Sequence, residues 1–150
     1  MITLKAGDKA PEFESVDQDG KPVKLADFKG KKLVLYFYPK DNTPGCTAES
    51  CNLRDNYDAL LKQGYEVLGV STDNEKSHQK FIAKHELPFS LLADKDKSVH
   101  EAFGTWDLKK FMGREYMGTL RSTFVIDENG MIEEVIAKVK TKDHTAQILK

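Results

Sequence analysis

Cysteine is scarce in this chain, with two in 150 residues, and tryptophan occurs once. Two cysteines are too few for the disulfide framework of a small secreted domain. In a cytosolic chain, cysteines this sparse are catalytic, metal-binding or inert. They also supply only half of the four-ligand shell of a structural zinc site. No charge excess is present either, because 23 Lys and Arg face 24 Asp and Glu for a net charge of −1. So balanced a field gives no reason to expect nucleic acid or an anionic membrane as partner. No apolar run approaches the ~20 residues of a membrane span. The N-terminus, Met-Ile-Thr-Leu-Lys-Ala-Gly-Asp, shows no basic segment followed by an apolar one, so a signal peptide is not expected and a cytoplasmic location is. Internal repeats, low-complexity tracts and Ser/Pro linkers are missing too, and residues 1–150 read as one domain.

What remains is a globular composition, 39% hydrophobic and 31% charged, outside the disordered and fibrous ranges. Residues 13–16 and 22–25 flank Asp19-Gly20 as an N-terminal hairpin. The unbroken run Leu33 to Tyr38 reads as a strand buried on both faces, ended by Pro39. Thr43 as N-cap and Pro44 at the first helical position open a helix expected to reach Gln63, where Gly64 stops it. Strands over 65–70 and 89–93 alternate with helices over 75–85 and 98–103. Residues 104–118 read as irregular, with Trp106, Phe111 and Tyr116 expected mainly to pack that loop onto the core. Strands over 122–126 and 131–139 join through Asp127-Glu128-Asn129-Gly130, and a last helix is expected over 141–150. This order predicts an α/β fold with a mixed central sheet flanked by helices. The four histidines, His78, His85, His100 and His144, fall at positions expected to be solvated.

Cys46 is the sharpest chemical feature. It follows a buried strand and falls in the first turn of a helix, where unpaired N–H groups and the positive end of the dipole stabilise a thiolate, the reactive form. Cys51 comes five residues later. An intact helix would hold the two Cα atoms roughly 8–9 Å apart, beyond the ~7 Å that a disulfide tolerates. Either the pair never bonds, or the first helical turns must unwind.

Pro39-Lys40-Asp41-Asn42-Thr43-Pro44-Gly45-Cys46 resembles the Pro-x-x-x-Thr-x-x-Cys pattern of the peroxiredoxins. The longer run Tyr36 to Thr47 is similar to the peroxiredoxin Q, or bacterioferritin comigratory protein, subfamily, as are residues 110–118 and 121–127. Ser50, where the family often has Ala, and Asp107, where it often has Gly, depart from the pattern. The resemblance implies a thioredoxin-like fold with an N-terminal β-hairpin extension and a peroxidase that uses no cofactor and no metal. It implies that Cys46 is the peroxidatic cysteine and Cys51 the resolving one. Thr43 would hydrogen-bond thiolate and peroxide, Arg121 would hold the thiolate and the developing charge, Pro39 would shield Cys46 from water, and Glu49 would orient the arginine. A carboxylate there opposes the thiolate unless a cation neutralises it. The implied substrates are hydrogen peroxide and organic hydroperoxides, and the implied reductant is thioredoxin. An intrachain resolving cysteine removes the chemical need for a dimer, so a monomer is expected. Two other readings of the cysteines stand beside this one. A redox switch without turnover needs no Thr43 or Arg121 at these spacings, and a thiol–disulfide oxidoreductase usually has a CxxC.

Overall fold

The computed structural model describes residues 2–149. A five-stranded sheet runs in the order β5 (Ser90–Ala93), β4 (Tyr65–Ser71), β3 (Lys32–Phe37), β8 (Ser122–Ile126), β9 (Ile132–Ile136). β3, β4 and β5 are parallel, while β8 and β9 are antiparallel to their neighbours. The mixed sheet flanked by helices is the expected α/β architecture.

Period-two alternation along β3 builds two cores. Val34, Tyr36 and Tyr38 face one side with Cys46 and Leu53 of α1 (Pro44–Asp55), Leu60 of α2 (Tyr57–Lys62), Phe81 of α3 (Glu75–His85) and Ile148 of α5 (His144–Ile148). Leu33, Leu35 and Phe37 face the other side with Val99 and Phe103 of α4 (Ser98–Phe103). Phe13 and Leu25 from the N-terminal hairpin of β1 (Glu14–Val16) and β2 (Pro22–Lys24) complete that second core. One contact fixes how α1 lies on the sheet. The Tyr36 ring crosses Gly69 of β4, where a Cβ would come within 2.8 Å of it. Its hydroxyl then reaches Ser50 of α1 at 2.9 Å. A side chain at position 69 would displace the tyrosine and, through it, the helix.

Five expectations need correction. Residues 104–118 are largely a hairpin, β6 (Trp106–Phe111) with β7 (Arg114–Thr119). Its turn, Met112-Gly113, has positive φ at both residues, the two-residue geometry that matches strand twist. Methionine is an uncommon residue in that conformation, so the turn carried little signal. The aromatics there do not all pack inward: Trp106 is half-buried against His100, but Phe111 is 65% and Tyr116 46% exposed. The long helix breaks at Asn56, whose side-chain amide donates to the Asn52 carbonyl at 2.8 Å. That carbonyl is the one its own N–H would use in a continuing helix. His78, His100 and His144 are fully buried rather than solvated, each with both ring nitrogens hydrogen-bonded. β9 and α5 are shorter than expected, and Lys150 lies outside the described residues.

Candidate active site

β3 ends at Phe37, and the chain passes Tyr38 and half-buried Pro39 into a tight loop before α1. A buried network fixes that loop. Asp41 accepts the Tyr38 hydroxyl at 2.6 Å and the Ser77 hydroxyl at 2.8 Å, and its Oδ2 lies 2.7 Å from His78 Nδ1. Its own N–H donates to Asp73 at 2.9 Å. His78 Nε2 faces the Leu92 carbonyl at 2.8 Å. A carbonyl can only accept, so that nitrogen carries a hydrogen. Asp41, Asp73 and His78 have donor atoms close enough together for a metal ion, but these hydrogen bonds already occupy them, and the cluster reads as a tie between loop, α3 and sheet.

Thr43 takes the N-cap backbone conformation, with Pro44, Gly45 and Cys46 forming the first turn of α1. Its side chain does not cap the helix. The hydroxyl donates to the Lys40 carbonyl at 2.8 Å, which leaves the oxygen lone pairs free to accept. Cys46 is 1% exposed, and Arg121, from the turn between β7 and β8, reaches it with Nη2 3.1 Å from Sγ. The other guanidinium nitrogen, Nη1, donates to Oε1 of fully buried Glu49 at 2.7 Å. Glu49 lies one helical turn beyond Cys46, so both groups face the same guanidinium. Gly45 allows the approach, since a Cβ there would sit 3.3 Å from Arg121 Nη2.

The electrostatics are uneven. Burial pushes the Glu49 carboxyl up to about 7, against the opposing pull of Arg121. Burial also acts to lower the Arg121 pKa, but the Cys46 and Glu49 charges and hydrogen bonds outweigh it and the guanidinium stays protonated. Lys109 is a further cation near the site. Its Nζ donates to the Thr119 carbonyl at 2.9 Å, and burial together with Arg121 lowers its pKa while Cys46 opposes that.

Cys46, Glu49 and Arg121 are therefore in direct contact, with Thr43 and Pro39 in the adjoining loop. Cys51 is half-buried farther along α1, and both cysteines are free thiols. The helix is continuous across both positions, so the separation derived from helical geometry applies. Ser50, one of the two departures, is fully buried and holds Tyr36. The sequence marks neither Lys109 nor His144 as part of a site. Lys109 lay in a segment read as irregular, and His144 had no local pattern to mark it.

Residues 6–135 match the AhpC/TSA family. The chain is 49% identical over 148 residues to peroxiredoxin Bcp of Bacillus subtilis (strain 168), covering 99% of this chain and 94% of that protein. It is 50% identical over 149 residues to peroxiredoxin Bcp of Escherichia coli (strain K12), covering 99% and 96%. Among solved structures it resembles a cysteine mutant of PrxQ from Xylella fastidiosa, with a TM-score of 0.90 and 33% identity over 97% of this chain and 93% of that one. It also resembles the Xanthomonas campestris bacterioferritin comigratory protein, solved in work on alkyl peroxide reduction, with a TM-score of 0.86 and 35% identity over 91% and 87%.

Proposed function

The chain belongs to the AhpC/TSA family and is a peroxiredoxin, a thiol peroxidase acting on peroxide with a thiol reductant, and from that premise we propose that Cys46 is its peroxidatic cysteine, Cys51 its resolving cysteine and thioredoxin its reductant. The observation that carries this reading is the guanidinium of Arg121 placed between Cys46 Sγ and Glu49.

The Cys46 thiolate attacks the terminal oxygen of ROOH. An S–O bond forms, the O–O bond breaks, and RO⁻ departs and takes a proton. Arg121 faces the thiolate in the ground state and the oxygens that gain charge in the transition state. A permanently protonated group with several donors suits that task. Glu49 fixes the rotation of the guanidinium. Thr43, its hydrogen donated to Lys40, accepts the hydrogen of the peroxide and orients it, and Pro39 limits water at the sulfur. The Cys51 thiolate then attacks the sulfenic sulfur: an S–S bond forms, the S–O bond breaks, hydroxide departs and takes a proton to become water, and the intrachain disulfide is reduced by thioredoxin. Closure requires the start of α1 to unwind, because the intact helix holds the cysteines apart. The cycle calls on no second subunit, in keeping with a monomer. The alkyl peroxide activity named for the Xanthomonas campestris relative supports organic hydroperoxides beside hydrogen peroxide as substrates.

Steady peroxide consumption with thioredoxin, thioredoxin reductase and NADPH tests the reading. Sustained turnover is expected. A single stoichiometric oxidation that then stops would indicate a redox switch instead.

A further inference from the structure

Glu49 has one oxygen on Arg121 and another, Oε2, that is buried without a hydrogen-bond partner among the described residues. His144 of α5 faces that orphan, its Nε2 3.6 Å away. The protonation of this ring follows from its surroundings. Gln147 Oε1 accepts the Lys140 N–H at 2.8 Å, and its Nε2 donates to the Lys138 carbonyl at 2.9 Å. Those backbone partners fix which end of the amide is oxygen. His144 Nδ1 lies 2.8 Å from that same Oε1 and must therefore carry a hydrogen. The basic nitrogen is then Nε2, which faces Glu49 and lies 2.7 Å from the Thr123 hydroxyl. That hydroxyl can rotate to donate to Nε2 or accept from it.

The charge count is lopsided. Arg121 is one cation facing two acids, Glu49 and Cys46. With both ionised, the one guanidinium in contact with them cannot balance both charges, since Lys109 spends its Nζ on the Thr119 carbonyl, and an oxygen and a nitrogen lone pair confront each other across the Glu49–His144 gap. One added proton removes both penalties.

We propose that Glu49 and His144 jointly hold one proton behind Arg121, between Oε2 and Nε2, and hold it more tightly while Cys46 is a thiolate than once it is a neutral sulfenic acid. The proposal rests on the reading of Cys46 as peroxidatic. His144 is a positioning residue, because it acts on the sulfur only through Glu49 and Arg121. Burial favours the uncharged form of both partners, raising Glu49 and lowering His144, so the proton sits mainly on the carboxyl. While it is there, Arg121 is free to balance the thiolate alone. Attack converts Cys46–S⁻ and ROOH to Cys46–SOH and RO⁻, which takes one proton. As charge leaves the sulfur, the pair loosens its own proton, and Glu49 becomes the anion that Arg121 balances. The groups facing the pair are Arg121, from the turn before β8, the Thr123 hydroxyl of β8, Gln147 of α5 and Tyr36 of β3. Burial raises the Tyr36 pKa well above the usual phenol range, so that group stays neutral.

Imidazole 15N NMR of the reduced protein, titrated through neutral pH, tests this. His144 should show the Nδ1–H tautomer at high pH and sense a one-proton step near neutrality. In Cys46→Ser, which cannot place a thiolate across Arg121, the midpoint should fall by about 1–2 pH units for an effective dielectric constant of about 20. In Glu49→Gln the shared step should vanish. An Nε2–H tautomer, or the same midpoint in wild type and Cys46→Ser, would overturn the proposal. Should Glu49→Gln fail to fold, the Cys46→Ser comparison decides alone. No peroxide is used, so these shifts in a protein that fails to reduce peroxide would support proton sharing and count against the peroxidase role of Cys46.

Discussion

The resolving step proposed for Cys51 meets a structural obstacle whose size can be worked out. Unwinding α1 as far as Asn52 breaks more than helical hydrogen bonds, because Asn52 also fastens α5. Its Oδ1 accepts the Thr145 N–H at 2.8 Å and its Nδ2 donates to the Lys142 carbonyl at 3.2 Å. The N-cap residue of α5, Asp143, supplies no side-chain cap of its own, so α1 caps α5 from outside. Asn52→Ala deletes both bonds and leaves the cysteines, Arg121 and Glu49 unchanged. Each such bond contributes about 0.5–1.5 kcal/mol net, and these two are partly or fully solvent-exposed, so the folded form of the segment should lose about 1–2 kcal/mol. That makes opening about 5- to 30-fold more favourable. If opening limits resolution, disulfide closure should accelerate by a similar factor, and less Cys46 should reach sulfinic acid at high peroxide. Quenched-flow oxidation with thiol trapping and mass spectrometry reads both quantities. A folded Asn52→Ala protein whose closure rate stays within twofold of wild type would refute the reasoning, showing either that α1 does not open as far as Asn52 or that opening is not limiting.

Other perturbations separate the remaining roles. Arg121→Met should slow the peroxide step ~100- to 1,000-fold, the usual cost of one transition-state donor, read by rapid mixing on a protein shown to be folded. Cys51→Ser should react once, accumulate sulfenic and then sulfinic acid on Cys46 by mass, and fail to cycle with thioredoxin. Glu49 has a native pKa of about 7 against 4.5 for the ordinary side chain, so the folded protein binds its proton the more tightly. Its contribution to stability is complete below about pH 4.5 and is lost as pH rises through 7, a decline of order 3 kcal/mol. Denaturant melts across that range should show the slope in wild type and a flatter curve in Glu49→Gln.

Much of this architecture was legible because each signal was local. Leu33 to Tyr38 announces a buried strand, and Thr43-Pro44 announces a helix start with Cys46 in its first turn. The Arg121–Glu49–Cys46 contact was readable only through family resemblance, since nothing in the chain between them measures their separation in space. The β6–β7 hairpin hid behind a Met112-Gly113 turn, whose methionine gives no hint of left-handed backbone. The buried histidines were misread for a general reason. A histidine is interior only when carbonyls, carboxylates or hydroxyls meet both ring nitrogens, and those partners come from distant elements, as Asp41 and Leu92 do for His78. His144 shows the same limit, joined to Glu49 only when α5 packs on α1 and β8.

The central claim is that peroxide oxygen is transferred to Cys46. Its most direct measurement is the site of oxidation in Cys51→Ser protein given one equivalent of hydrogen peroxide in the presence of dimedone, followed by peptide mass mapping. One sulfenic adduct on Cys46 is predicted, formed at the rate of peroxide loss and abolished together with that loss in Cys46→Ser/Cys51→Ser. Peroxide consumption that persists in the doubly substituted protein, or an unlabelled Cys46 after the peroxide is gone, would contradict it.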